Sequence, residues 1–223
     1  MPGTLAQRRF ARFHIQLPLL LKPRAPAPIK VWVGWSRDLS EGGACVELPE
    51  GLPPPTPLGV RLQTDRGVID VEAQVIWAGA SDHAGGGIPH GLAFTHVGAS
   101  QLRALRDLIH AKGEVRLAGV RLPLEVPVTC QRKGQAGPPL HGRTGNLGRG
   151  GVLLYLPQVL PPGTALEVTL HTALGPLAAE GGVVWHEPPE GRPPGELLRH
   201  GLRFTAVSWT TTLSLGLMLV EPA

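Results

Sequence analysis

Cysteine, aromatic residues and long apolar runs are all scarce in this chain of 223 residues. Two cysteines, Cys45 and Cys130, are too few for a disulfide framework; each sits in a strand-like run, one per half, and reads as a small buried hydrophobe in a reducing compartment. Arg8-Arg9, the apolar stretch Leu17 to Leu21 and Ala25-Pro26-Ala27 superficially follow the order of a twin-arginine export signal. The stretch is broken by Pro18 and closed by Lys22, which is too short for a signal core or a bilayer span. The expectation is therefore a cytoplasmic protein without membrane insertion. One tyrosine, four phenylalanines and five tryptophans, mostly at strand positions, give little material for an open base-stacking groove, which argues against a nucleic-acid partner. The tryptophans read as core or barrel-rim residues. No G-x-x-x-x-G-K-[ST] loop, G-x-S-x-G elbow, H-E-x-x-H pair or catalytic cysteine context is present, so neither an enzyme nor a cofactor is expected. His83, His90 and His96 lack zinc spacing, and His90 recurs in a repeat as His200, which points to a fold role and no metal site.

Acidic residues are absent from the first 37 positions, while Arg8, Arg9, Arg12, Lys22, Arg24, Lys30 and Arg37 all lie there. The net charge of +4 is thus concentrated at one end, which suits an anionic partner although a charge run alone is equally a solvated tail. Glycine and proline are abundant, at 30 and 24, and the stretches between them alternate apolar and polar residues. That is the pattern of many short strands joined by tight turns.

The chain is a duplication. Asp38-Leu39-Ser40-Glu41-Gly42-Gly43 aligns with Asn146-Leu147-Gly148-Arg149-Gly150-Gly151, and Val75-Ile76-Trp77 with Val183-Val184-Trp185. His90 to Thr95 returns as His200 to Thr205, and Arg12 and Pro18 return as Arg121 and Pro127. Four ordered matches at offsets of 108 to 110 residues imply two copies of one fold, divided near Gly113 into domains 1–112 and 113–223. In the first copy, strands are expected over 14–21, 29–37, 43–48, 58–64, 67–78 and 90–96. A helix follows from a Ser100 cap, with Leu102, Leu105, Leu108 and Ile109 on one face and Gly113 at its end. The fold class is mainly β: two tandem six-stranded barrels, each followed by a C-terminal helix. The last apolar segment, Ser208 to Leu219, has little polar face and is expected to pack between the barrels or against a second subunit, making the second domain a candidate homodimer surface.

Arg8 and Arg12 form R-x-x-x-R, and Asp38-Leu39-Ser40-Glu41-Gly42-Gly43 forms D-x-S-x-x-G about thirty residues later. Together they resemble the two-part signature of PilZ domains, bacterial receptors for cyclic di-GMP. An arginine fork matches a phosphate or the O6/N7 edge of guanine, and its flat face stacks on a base. A carboxylate accepts from guanine N1–H and N2–H₂ together, a hydroxyl adds a donor or acceptor, and a glycine lets backbone and ligand approach. The resemblance implies a pocket with Asp38, Ser40 and Gly43 as its wall and Arg8 and Arg12 as its lid; Arg9 and Arg37 are further candidate phosphate contacts that no motif position assigns. With Gln7 ahead of R-x-x-x-R the resemblance leans toward one ligand molecule per domain, while the nearby Arg9 leaves an intercalated pair open. Taken alone, D-x-S is also a hairpin turn with local hydrogen bonds.

The second copy departs from the pattern: Asn146 replaces the aspartate, Gly148 the serine, and Leu117 and Ala118 the paired arginines. It is expected to bind weakly or not at all and to serve as a partner-facing module. The implied function is a cyclic di-GMP receptor whose N-terminal arm orders on binding and changes contact with a protein effector in motility, pilus or exopolysaccharide control. The alternative is a nucleotide-independent PilZ-like adaptor in pilus assembly.

Overall fold

A computed structural model describes residues 10–24, 30–81, 86–113, 118–190, 193 and 195–220. The chain divides into two compact units, Met1–Ala118 and Gly119–Ala223. In the first, the strands are β1 (Ile15–Gln16), β2 (Pro18–Pro23), β3 (Trp32–Ser40), β4 (Gly43–Leu48), β5 (Pro57–Thr64), β6 (Gly67–Ala78) and β7 (Ile88–His96), followed by helix α1 (Ala99–Gly113). After the two-residue β8 (Ala118–Gly119) at the division, the second has β9 (Leu122–Pro123), β10 (Pro127–Arg132), β11 (Leu140–Gly148), β12 (Gly151–Leu156), β13 (Ala165–Thr172), β14 (Gly175–His186), β15 (Leu198–Ala206) and helix α2 (Trp209–Val220).

Alternation builds the first barrel. On β5 and β6 the inward pairs Leu58↔Ala73, Val60↔Val71 and Leu62↔Ile69 lie opposite one another, each residue at most 5% exposed. The two-residue turn after Thr64 requires the positive φ of Gly67, +120°, and Thr64 Oγ1 donates to the Gly67 carbonyl at 2.8 Å. Thr172 and Gly175 repeat this turn. β2 pairs with both β3 and β5, closing the order β2-β3-β4-β7-β6-β5. The second unit closes likewise through β10–β11, in the order β10-β13-β14-β15-β12-β11. Both six-stranded barrels are followed by a helix, as the repeat implies.

Boundaries moved for identifiable reasons. The strand expected over 14–21 is interrupted at Leu17, whose N–H donates to the buried Ser36 Oγ while Ser36 donates to the Ile15 carbonyl. Thr144 does the same for the second copy through Val126 and Leu124. The strand expected to end at 37 continues to Ser40 through a bulge between Ser36 and Asp38, and a matching irregularity lies between Thr144 and Asn146. Helix α1 begins one residue before Ser100: the Gly98 carbonyl accepts the first helical bond, from Leu102, and Ser100 donates to Gln101 instead. In the second copy a serine does cap, Ser208 Oγ accepting from Thr211 N at 3.0 Å. Helix α2 buries Thr211, Leu215, Gly216, Leu219 and Val220. Among the described residues no helix is long and apolar enough to cross a membrane.

Candidate functional site

The bulge at Arg37 decides which way Asp38 faces. Beyond it, Leu39, Ala44, Leu92 and Val75 form an inward row across four strands, every member fully buried. The preceding row, Asp38↔Cys45↔Gly91↔Trp77, therefore faces outward. Asp38 Oδ1 accepts from Arg12 Nη1 at 2.6 Å and from Cys45 N–H at 3.2 Å. The approach of Arg12 is fixed by its neighbour, since Phe13 and Leu39 exchange both backbone hydrogen bonds at 2.9 Å. Segment 10–13 is thus tied to the end of β3 by one antiparallel bridge. Burial, and then the Asp38 charge, push the Cys45 thiol above its usual value, leaving it a neutral floor residue.

Ser40 and Gly43 flank the turn. Ser40 is 3% exposed and its Oγ donates to the Gly43 carbonyl at 3.0 Å, so its hydroxyl hydrogen is already engaged and only acceptor capacity remains. A Cβ at Gly43 would lie 2.1 Å from the Leu92 carbonyl, and one at Gly151 would lie 2.2 Å from that of Leu202. The close approach that this glycine permits is to the neighbouring strand, in both copies. Of the six residues singled out by sequence, the structure brings Arg12, Asp38, Ser40 and Gly43 together at one end of β3–β4. Arg8 and Arg9 lie outside the described residues.

Trp77 is the neighbour that sequence reasoning missed. Its indole lies over Gly91, with Nε1 only 1.9 Å from where a Cβ would stand, yet the residue is 41% exposed. A register shift between Val75 and Trp77 turns both Ile76 and Trp77 outward. Trp185 over Gly201 repeats the arrangement. The signal lay in the paired recurrence of V-I/V-W and H-G-L, an aromatic facing a glycine across two strands. Trp32 and Trp35 are buried in the core, at 8% and 0% exposed, while Trp77 and Trp185 stand at the surface.

His90 and His200 are fully buried. Their Nε2 atoms accept from Leu52 N and Leu160 N, so Nδ1 carries the proton and donates to the Ile88 and Leu198 carbonyls, and neither ring nitrogen has a lone pair for a metal. Burial pushes both pKa values down, holding the rings neutral.

The second copy is built differently where its sequence differs. A Cβ at Gly148 would meet the Val120 carbonyl at 2.5 Å, so that carbonyl stands against the position equivalent to Ser40. Asn146 Oδ1 is buried without a hydrogen-bond partner. Leu153 occupies the place of Cys45 in the row ending at Trp185.

The PilZ domain model matches residues 6–111 and again 114–213. This chain belongs to the PilZ domain family. No curated protein matches it in sequence. Among solved structures it is similar to the inhibitor of motility MotI/DgrA of Bacillus subtilis, at 10% identity and TM-score 0.39, covering 92% of this chain and 94% of that one. Similar too are Escherichia coli YcgR in complex with c-di-GMP (13% identity, TM-score 0.37, 92% and 82% covered) and the K. pneumonia MrkH–c-di-GMP complex (12% identity, TM-score 0.39, 92% and 86% covered).

Proposed function

We propose that the first barrel of this PilZ protein binds cyclic di-GMP at the Arg12–Asp38 end of its outward row, and that the protein is a receptor rather than an enzyme. The observation that carries the reading is the convergence, on one surface, of a fork-shaped donor, a carboxylate held by a backbone N–H, and an exposed indole. A guanine gripped at its donor edge by Asp38 would lie over Cys45, two strands or about 10 Å from the Trp77 backbone, with the indole that covers Gly91 reaching toward it. Arg12, already on Asp38 at 2.6 Å, would pivot its guanidinium toward phosphate or base as the ligand takes its place. Arg8 and Arg9 join it as phosphate contacts from the arm, and Gln7 favours one messenger molecule per domain. The second barrel, with Asn146 and Gly148 at the key positions, is a degenerate copy that meets a protein effector or a second subunit. Binding orders the arm and alters that contact, in the cytoplasm, in control of motility, pili or exopolysaccharide. Calorimetric titration with cyclic di-GMP tests this: micromolar or tighter binding, lost in Arg12→Ala, is expected. Folded wild-type protein giving no heat would sink the reading and leave the nucleotide-independent adaptor, to be sought through its partner.

A further inference from the structure

Two turns close the same end of the first barrel, because β3 and β5 both run antiparallel to β2: the D-x-S-x-x-G turn after β3 and the Thr64–Gly67 turn after β5. Helix α1 is tied to each by an ion pair. Arg106 Nε and Nη2 both donate to Glu41 Oε2, at 2.9 and 2.8 Å, and Lys112 Nζ donates to Asp65 Oδ2 at 2.8 Å. The helix does not need these pairs to stay in place, since Leu105 and Leu108 are already buried, and exposed ion pairs add little stability. Glu41, moreover, is the residue after Ser40, so an unpaired carboxylate there would repel an anionic ligand.

The repeat shows what the pairs accompany. In the second copy Arg149 stands for Glu41 and Ala173 for Asp65. Aligning the buried Leu105 with the buried Leu215 places Gly216 opposite Arg106, and α2 has no charged residue from Trp209 to Val220. The leucine that seats a helix on a barrel is kept. The charges that tie the helix to the turns are lost, in the copy whose motif is incomplete.

We propose that Arg106 is a positioning residue for the cyclic di-GMP site: through Glu41 it fixes the turn that carries Asp38 and Ser40, and the same contact carries binding to α1. The inference rests on the binding function proposed above. A turn already held in its binding geometry costs less to order when the ligand arrives. By linkage, the ligand must then hold α1 to the turn as strongly as α1 favours the ligand.

Calorimetric titration of the full chain with cyclic di-GMP tests this in wild type, Arg106→Ala, Glu41→Ala, the double variant Glu41→Ala/Arg106→Ala, and Arg103→Ala, which removes an exposed cation from the same helix. With side chains 60% and 31% exposed, the pair should be worth about two- to fivefold in affinity, and the thermal midpoint should fall by a few degrees at most. Glu41→Ala is the deciding variant. If Glu41 acted only by its charge, removing it would tighten binding of an anion; as the link between α1 and the turn, its removal should weaken binding as much as Arg106→Ala does. The double variant should be no weaker than either single one, and Arg103→Ala should bind as wild type. Ligand should also slow hydrogen exchange along Leu105–Ile109 in wild type but not in Arg106→Ala. Equal or tighter binding by Glu41→Ala, equal losses in Arg103→Ala and Arg106→Ala, or no ligand-dependent protection of α1 in wild type would overturn the proposal. Absence of binding by wild type itself would instead overturn the reading beneath it.

Discussion

Replacing Asp38 with asparagine separates what this residue does for the barrel from what it does for a ligand. Asparagine has the same shape, and its carbonyl oxygen can still accept from Cys45 N–H and from Arg12, the two donors that Asp38 Oδ1 now serves. The ion pair is partly exposed, with side-chain exposures of 23% and 31%, so losing its charge costs stability at most about 1 kcal/mol. That moves the thermal midpoint by a few degrees at most. Toward guanine the change is larger. A carboxylate accepts from N1–H and N2–H₂ at once; an amide offers one acceptor and sets its NH₂ against the second donor. Losing a charge-assisted bond of roughly 1.5–3 kcal/mol predicts binding about 10- to 150-fold weaker. Calorimetry with cyclic di-GMP, paired with a thermal melt, checks both halves. Binding within twofold of wild type, in a protein as stable as wild type, would refute the assignment of Asp38 to the guanine edge.

Trp77→Phe should keep the fold, weaken binding several-fold, and remove most of the ligand-induced change in tryptophan fluorescence; an unchanged fluorescence response in the variant would place the ligand away from the ring. Gly151→Ala should destabilise the protein by about 1–3 kcal/mol, as much as Gly43→Ala, because in each the new methyl group meets a backbone carbonyl at close to 2 Å; a urea midpoint equal to wild type for Gly151→Ala would contradict that reading. The neutral rings of His90 and His200 have folded pKa values below their unfolded ones, so the stability they contribute is complete above about pH 6.5 and is lost as pH falls through the lowered folded values. Urea midpoints should drop between about pH 7.5 and about pH 5.5, with a smaller drop in His90→Gln, and equal drops in both proteins would exclude the histidine as the cause.

The duplication was legible because it is written in short strings that survive divergence. Two closed barrels followed, since each copy carried the same alternation and the same turn glycines. What could not be read was phase within a strand. A single bulged residue, Arg37, flips every side chain after it, and nothing in the string Ser36-Arg37-Asp38 marks which residue is extra. Trp77 was hidden for the same reason: a register shift beside it turns an apparent core tryptophan to the surface. Gly43 was recognised, but its crowding by the Leu92 carbonyl comes from a strand about fifty residues away in sequence. Long-range contacts of that kind leave no local pattern.

Comparing the two barrels position by position divides fold from function more sharply than either does alone. Glycines 43 and 151, histidines 90 and 200, and the hydroxyls of Ser36 and Thr144 are kept in both copies, with the same partners in each. These positions hold a barrel together whether or not anything binds. The positions that differ, Asp38/Asn146, Ser40/Gly148, Cys45/Leu153 and Phe10/Gly119, gather around one turn. Motif residues alone should therefore not rebuild a site in the second barrel. In Asn146→Asp/Gly148→Ser, the new serine Cβ would stand 2.5 Å from the Val120 carbonyl, and the segment of Val120 and Arg121 would have to move before the hydroxyl could face a ligand. The new carboxylate would replace an amide whose oxygen is already buried without a donor, which makes a charge there costlier still. The double variant should be less stable than wild type and should titrate with unchanged stoichiometry. A second equivalent of cyclic di-GMP bound by it would mean that the two motif residues suffice, and that the chain beside the turn contributes nothing.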